Sequence, residues 1–71
     1  MLELKANIPR GSNMELRVYM GEYYGKEVLD IRWYKDSNEE MTPTRKGVRM
    51  NMEEANVLKD ILNRILQREE F

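Results

Sequence analysis

Apolar and polar residues alternate along much of this chain, and the period changes to that of a helix near residue 51. Leu2, Leu4, Ala6 and Ile8 alternate with Glu3, Lys5 and Asn7, a strand-like period of two. Pro9, Gly11, Ser12 and Asn13 break it. The run Pro9-Arg10-Gly11-Ser12 also resembles the scar of a cleaved tag, so residues 1–13 read either as an edge strand or as a tag or disordered arm. The domain proper is then 14–71. From Met14, Leu16, Val18 and Met20 point one way and Glu15, Arg17 and Tyr19 the other. Gly21 to Gly25 supplies a turn. Lys26 to Lys35 reads as a second strand, with Leu29, Ile31 and Trp33 on one face and Val28, Asp30, Arg32 and Tyr34 on the other. Asp36 to Glu40 reads as a polar loop. Met41 to Pro43 reads as a short third strand, because proline cannot donate to a ladder. Thr44-Arg45-Lys46-Gly47 reads as a tight connection, and Val48 to Met50 as a short fourth strand.

The helix signal is the firmest. Asn51 is a good N-cap, and Glu54 three residues on completes a capping-box pattern. Glu53 and Glu54 suit the positive end of the helix dipole. Ala55, Leu58, Ile61, Leu62, Ile65 and Leu66 then recur at spacings of three and four. Strands first and one helix last predict an α+β fold, with the helix against a four-stranded antiparallel sheet. One helix on four short strands leaves much of its Leu/Ile stripe uncovered. Burying Leu58, Ile61, Leu62, Ile65 and Leu66 against a second copy is the natural solution, and a two-fold interface is the commonest kind.

Composition adds weight to association. The chain has 71 residues, room for one domain with a marginal core. It has no cysteine and no histidine, so disulfides, thiolate metal sites and the commonest general base are all missing. No apolar run approaches the ~20 residues of a membrane span, and no start resembles a secretion signal. A soluble, intracellular protein is the expectation, cytoplasmic or, if eukaryotic, nuclear. The net charge is −1, which does not advertise a nucleic-acid binder. The distribution says more. Residues 1–50 carry nine Lys/Arg against eight Asp/Glu, and residues 51–71 carry three against five, so the acidic excess sits in the C-terminal segment.

If Leu16, Val18, Leu29, Ile31, Val48 and Met50 face the helix, alternation places Arg17, Tyr19, Arg32, Tyr34 and Arg49 on the opposite sheet surface. Tyr23, Lys26, Arg45 and Lys46 lie at strand ends and turns beside it. Interleaved cations and aromatics suit single-stranded nucleic acid: cations neutralise phosphates, and rings stack on unpaired bases at about 1–3 kcal/mol per base. The alternative is a plain solvated sheet face, in which Arg32 pairs with Asp30 or with a cross-strand glutamate. Trp33 falls on the inward face, where core packing is its default role. Lys35 ends that face, where its long side chain reaches solvent.

These residues carry a resemblance. Gly25-Lys26, Leu29-Asp30-Ile31-Arg32 and Tyr34 resemble the second strand of the positive cofactor four family of transcriptional coactivators that bind single-stranded DNA. Glu40-Met41-Thr42-Pro43-Thr44-Arg45-Lys46-Gly47-Val48 resembles its E-M-x-P-x-R-K-G-[IV] segment, and Asn51-Met52-Glu53 with Leu58-Lys59 its helix start. The similarity runs from about Tyr23 to Lys59. It implies a curved four-stranded antiparallel sheet followed by one helix, assembled as a homodimer whose sheet ridges hold single strands. It also implies a base-stacking role for Tyr23, and phosphate- and base-contacting roles for Lys26, Arg32, Arg45 and Lys46. There are departures: the family tryptophan aligns with Lys35, for which Trp33 would substitute, and family lysines align with Tyr24 and Thr42. Fewer cations imply a shallower salt dependence.

The expectation is therefore a homodimer that binds single-stranded DNA, or RNA, with little sequence preference through Arg17, Tyr19, Tyr23, Lys26, Arg32, Trp33, Tyr34, Lys35, Arg45, Lys46 and Arg49. No cofactor, metal or small-molecule substrate is expected. The competing reading is a dimeric protein-interaction module indifferent to nucleic acid. An enzyme would need clustered acids holding a metal, and the acids here are dispersed, so none is expected.

Overall fold

A computed structural model describes residues 1–67. Four strands run in order, β1 (Leu2–Arg10), β2 (Met14–Tyr23), β3 (Lys26–Ser37) and β4 (Glu40–Asn51), followed by α1 (Met52–Gln67). They form one open antiparallel meander, β1-β2-β3-β4, each strand paired to its chain neighbour. The α+β class and the strands-then-helix order agree with the sequence reading.

The strand assignments differ in three places. The N-terminal segment is an edge strand, paired with β2 from Leu2 opposite Gly21 to Arg10 opposite Met14. A bulge at Lys5 turns its alternation over. Leu4 lies opposite Tyr19, whereas Ala6 and Ile8 lie opposite Val18 and Leu16. The expected third and fourth strands are one strand, β4, that runs through Pro43 and Gly47. Proline is tolerated because β4 is an edge. The expected polar loop is a tight turn at Asn38 and Glu39, with φ of 54° and 65°, because Asp36 and Ser37 still pair with Met41 and Glu40.

The expected connection at Thr44-Arg45-Lys46 is a bulge within β4. Arg32 pairs with Gly47 and Tyr34 with Pro43, so these three residues stand opposite Trp33 alone. Thr44 closes the bulge: its Oγ1 donates to the Trp33 carbonyl at 2.9 Å and accepts from the Lys46 N–H at 3.1 Å. Arg32 Nη1 donates to the Thr44 carbonyl at 3.2 Å. At Gly47 the two strands approach so closely that an added Cβ would lie 2.7 Å from the Ile31 carbonyl oxygen.

The helix starts as its sequence dictates. Glu54 N–H donates to Asn51 Oδ1 at 2.8 Å, and Asn51 N–H donates to Glu54 Oε1 at 2.9 Å, a reciprocal capping box. The helix lies against β3 and β4. Met52, Ala55 and Leu58 are half-buried, while Ile61, Leu62, Ile65 and Leu66 are exposed. Among the described residues no apolar side chain is buried; the one buried residue is Asp30, 4% exposed.

Candidate nucleic-acid interface

Strand register decides which side chains share a surface. Arg17 lies opposite Arg32, Tyr19 opposite Asp30, and Glu15 opposite Tyr34. Asp30 also lies opposite Arg49 on β4. One sheet face thus gathers Arg17, Tyr19, Arg32, Tyr34 and Arg49, as alternation predicts. Met14 opposite Lys35, Leu16 opposite Trp33 and Val18 opposite Ile31 alternate onto the other face. Trp33 and Lys35 therefore stand on the opposite side of the sheet from the arginine–tyrosine rows.

Those rows are internally bonded. Arg32 holds Asp30 with two hydrogen bonds, Nη2 to Oδ1 at 3.0 Å and Nε to Oδ2 at 3.2 Å, and Arg49 Nε reaches Oδ1 at 3.4 Å. Arg17 forms an ion pair with Glu15, donates to the Tyr19 hydroxyl at 3.2 Å, and lies 4.4 Å from the Tyr34 ring centroid. The hydrogen bond from Arg17 holds the Glu15 carboxyl below its ordinary range, and in return raises the Arg17 guanidinium. Asp30 does the same for Arg32. The Tyr19 and Tyr34 rings lie 6.0 Å apart. A hydrogen bond with Tyr34 lowers Tyr19, while burial raises Tyr34. Asp30 and Glu15 offset much of the arginines' charge, so this face is a polar, ordered floor more than a set of unengaged cations.

Among the described residues, Lys26, Lys35, Arg45 and Lys46 make no ion pair. Lys35 and Lys46 converge on one cleft of about 430 Å³, also lined by Asn13, Met14 and Thr44, beside the β4 bulge. The bulge is what brings Lys46 there. Arg45 is exposed on the same bulge, and Lys26 opens β3 at the other end of the sheet, paired with Tyr23.

Two aromatic stations lie on opposite faces of the sheet, Trp33 on the side away from the arginine–tyrosine rows. The Arg10 guanidinium lies 4.3 Å over the Trp33 ring. Arg49 lies 4.5 Å over the Tyr23 ring, and Tyr23 meets Tyr24 edge-on at 4.6 Å. The sequence reading passed over Arg10, because residues 1–13 could have been an arm; no periodicity links Arg10 to Trp33, which only the β1–β2–β3 pairing brings near. It allowed an Arg32–Asp30 pair but passed over Arg49 as a second partner of Asp30, which the β3–β4 register places opposite it.

An open antiparallel sheet with cations and rings on its surfaces, followed by one capped helix, defines a small sheet-and-helix module of the α+β class. Residues 10–61 match the family described as Transcriptional Coactivator p15 (PC4), and the chain belongs to that family. This is the family that the motifs from Tyr23 to Lys59 resemble, and the match extends it back through β2. Among solved structures, the chain is similar to a bacteriophage T5 homologue of the eukaryotic transcription coactivator PC4 implicated in recombination-dependent DNA replication. That match has 21% identity and a TM-score of 0.81, over 97% of this chain and 81% of that one. It is also similar to a PC4 homologue from Burkholderia pseudomallei K96243, at 20% identity and a TM-score of 0.74, over 97% and 98% of the two chains. Both likenesses show a shared fold. No curated protein matches the chain in sequence.

Proposed function

We propose that this protein is a homodimeric, non-enzymatic binder of single-stranded DNA with little sequence preference and a coactivator-like role in transcription. The observation that carries the reading is the set of cations without an ion pair among the described residues, Lys26, Lys35, Arg45 and Lys46, on an open sheet that also bears exposed or half-exposed rings. Cations without protein partners are available to phosphates, and rings accept unpaired bases of any identity. The arginine–tyrosine rows lie on the sheet face opposite Lys35, where Asp30 and Glu15 fix their positions. Membership of a coactivator family supports the transcriptional part. Homodimerisation is supported by the absence of any buried apolar side chain among the described residues of one protomer.

Fluorescence anisotropy with an oligo-dT of a few tens of nucleotides tests the reading. It should bind more tightly than duplex of equal length, and less tightly as salt rises. Equal or absent binding at low salt would overturn the proposal. Arg45→Ala with Lys46→Ala should weaken binding and flatten the salt dependence by a slope of about 1.4, at ~0.7 per single-strand phosphate contact.

The exposed helix stripe favours a second reading, a protein-interaction module. A dimer whose size-exclusion mass and melting are indifferent to oligonucleotide would favour that reading instead.

A further inference from the structure

The β2–β3 hairpin ends in a two-residue turn whose central residues are Tyr24, at φ 54°, and Gly25, at φ 79°. Positive φ at both positions defines the type I′ turn, for which Asn-Gly, Asp-Gly and Gly-Gly are the favoured pairs. A bulky aromatic at the first position is an outlier, since its Cβ crowds the backbone in the left-handed region. The ring gains no compensating burial: Tyr24 is 90% exposed. Backbone strain spent to hold an apolar ring in water is a cost that folding does not explain.

The neighbouring side chains hold that ring in place. Tyr23 is the aromatic that the family resemblance singles out, yet one face of its ring is covered by the Arg49 guanidinium at 4.5 Å. Tyr24 meets the same ring at 4.6 Å and 72°. Arg49 in turn is tethered to Asp30, the most buried residue described. A chain of contacts thus runs from the best-anchored carboxylate through Arg49 and Tyr23 to Tyr24 at the hairpin tip. Tyr23, 47% exposed with Arg49 over one face, has part of its ring engaged, whereas Tyr24, 90% exposed, has the more open ring. Lys26, unpaired among the described residues, follows two positions later and supplies a cation beside it.

We infer that Tyr24 is a base-stacking residue of this protein, taking an unpaired nucleobase on its ring at the hairpin tip, with Tyr23 and Arg49 as positioning residues. The inference rests on the single-strand reading above and names a contact within it. A ring that stacks on a base contributes little to the count of neutralised phosphates, so its loss lowers affinity without changing the salt slope.

The decisive variant is Tyr24→Asn. Asparagine suits the first position of a type I′ turn, so a purely structural tyrosine would be replaced at a gain in stability and no loss of function. With fluorescein-labelled oligo-dT, Tyr24→Asn should melt at or above the wild-type temperature, yet bind roughly 5- to 150-fold more weakly, with an unchanged salt slope. Tyr24→Phe, which keeps the ring, should retain wild-type affinity. An oligonucleotide made wholly of abasic sites should bind wild type and Tyr24→Asn equally. Wild-type affinity for oligo-dT in Tyr24→Asn, or a fall in salt slope by about one phosphate contact, overturns the assignment while leaving the single-strand reading standing. A wild-type protein that ignores the oligonucleotide overturns both.

Discussion

At position 47 the chain has no room for a side chain. A β-carbon there would lie 2.7 Å from the Ile31 carbonyl oxygen and 2.9 Å from Arg32 Cα, both parts of a paired backbone. Gly47→Ala must therefore push β4 away from β3 beside the bulge that presents Arg45 and Lys46. Forced backbone shifts of this kind cost about 1–3 kcal/mol. At fixed protein concentration the melting temperature should fall by roughly 4–24 °C, as read by circular dichroism, on the scale of about 4–8 °C per kcal/mol for a domain of this size. An unchanged melting temperature would mean the strands separate freely at that point. The sequence marked Gly47 as a turn residue. Its actual role, close approach of two backbones, depends on Ile31, sixteen positions earlier in the chain, and no local pattern encodes it. By contrast, the placement of Arg17, Tyr19, Arg32, Tyr34 and Arg49 on one face followed from the period of two, because the register keeps those positions in step across three strands. What periodicity does not carry is how many partners a charge has: Arg32 and Arg49 share Asp30, and Arg49 comes from a strand nineteen residues away.

The elements were legible in proportion to how local their determinants are. The helix start is the clearest case, since Asn51 and Glu54 satisfy each other's backbone N–H groups as the spacing of three requires. Asn51→Ala removes one half of that exchange and leaves the Glu54 backbone N–H without its side-chain acceptor. The expected loss is about 1 kcal/mol, measured by chemical denaturation of the protein, with Asn51→Ser restoring most of it. If alanine costs nothing, the cap is ornamental and the helix is held by packing alone. Strand β4 is the opposite case. Pro43 and Gly47 are breakers in a local reading, and they split one strand in two. The strand continues because Pro43 sits on an edge, and because Thr44 bridges the Trp33 carbonyl and the Lys46 N–H across the bulge. The N-terminal strand was ambiguous for a related reason. Pro9 to Asn13 resembles a broken or foreign segment, and only pairing with β2 makes Leu2–Arg10 a strand.

The whole molecule poses a problem of burial that one protomer does not solve. A chain of 71 residues hides only about 60% of its unfolded surface, and here no apolar side chain among the described residues is buried at all. Ile61, Leu62, Ile65 and Leu66 are between 36% and 60% exposed, and Val57 joins them at 56%. They extend the stripe begun by the half-buried Met52, Ala55 and Leu58, so the helix turns one part of its apolar surface toward its own sheet and leaves the rest bare. On the proposed homodimer this bare portion is the interface, and folding and assembly become one equilibrium. Two consequences follow that a stable monomer would not show. The melting temperature rises with protein concentration, because mass action favours the folded dimer over unfolded chains. Ile61→Lys with Ile65→Lys places two charges in the interface, and each buried charge without a partner is costly. That variant should sediment as a monomer and lose most of its cooperative melting, although neither substitution touches a strand. A matched pair on the polar helix surface, Lys59→Glu with Asn63→Glu, should leave mass and melting near wild type. If the wild-type chain sediments as a monomer with a concentration-independent melting temperature, the apolar stripe is not what holds the fold together, and the paired sheet ridges that the family resemblance implies would have no means of forming.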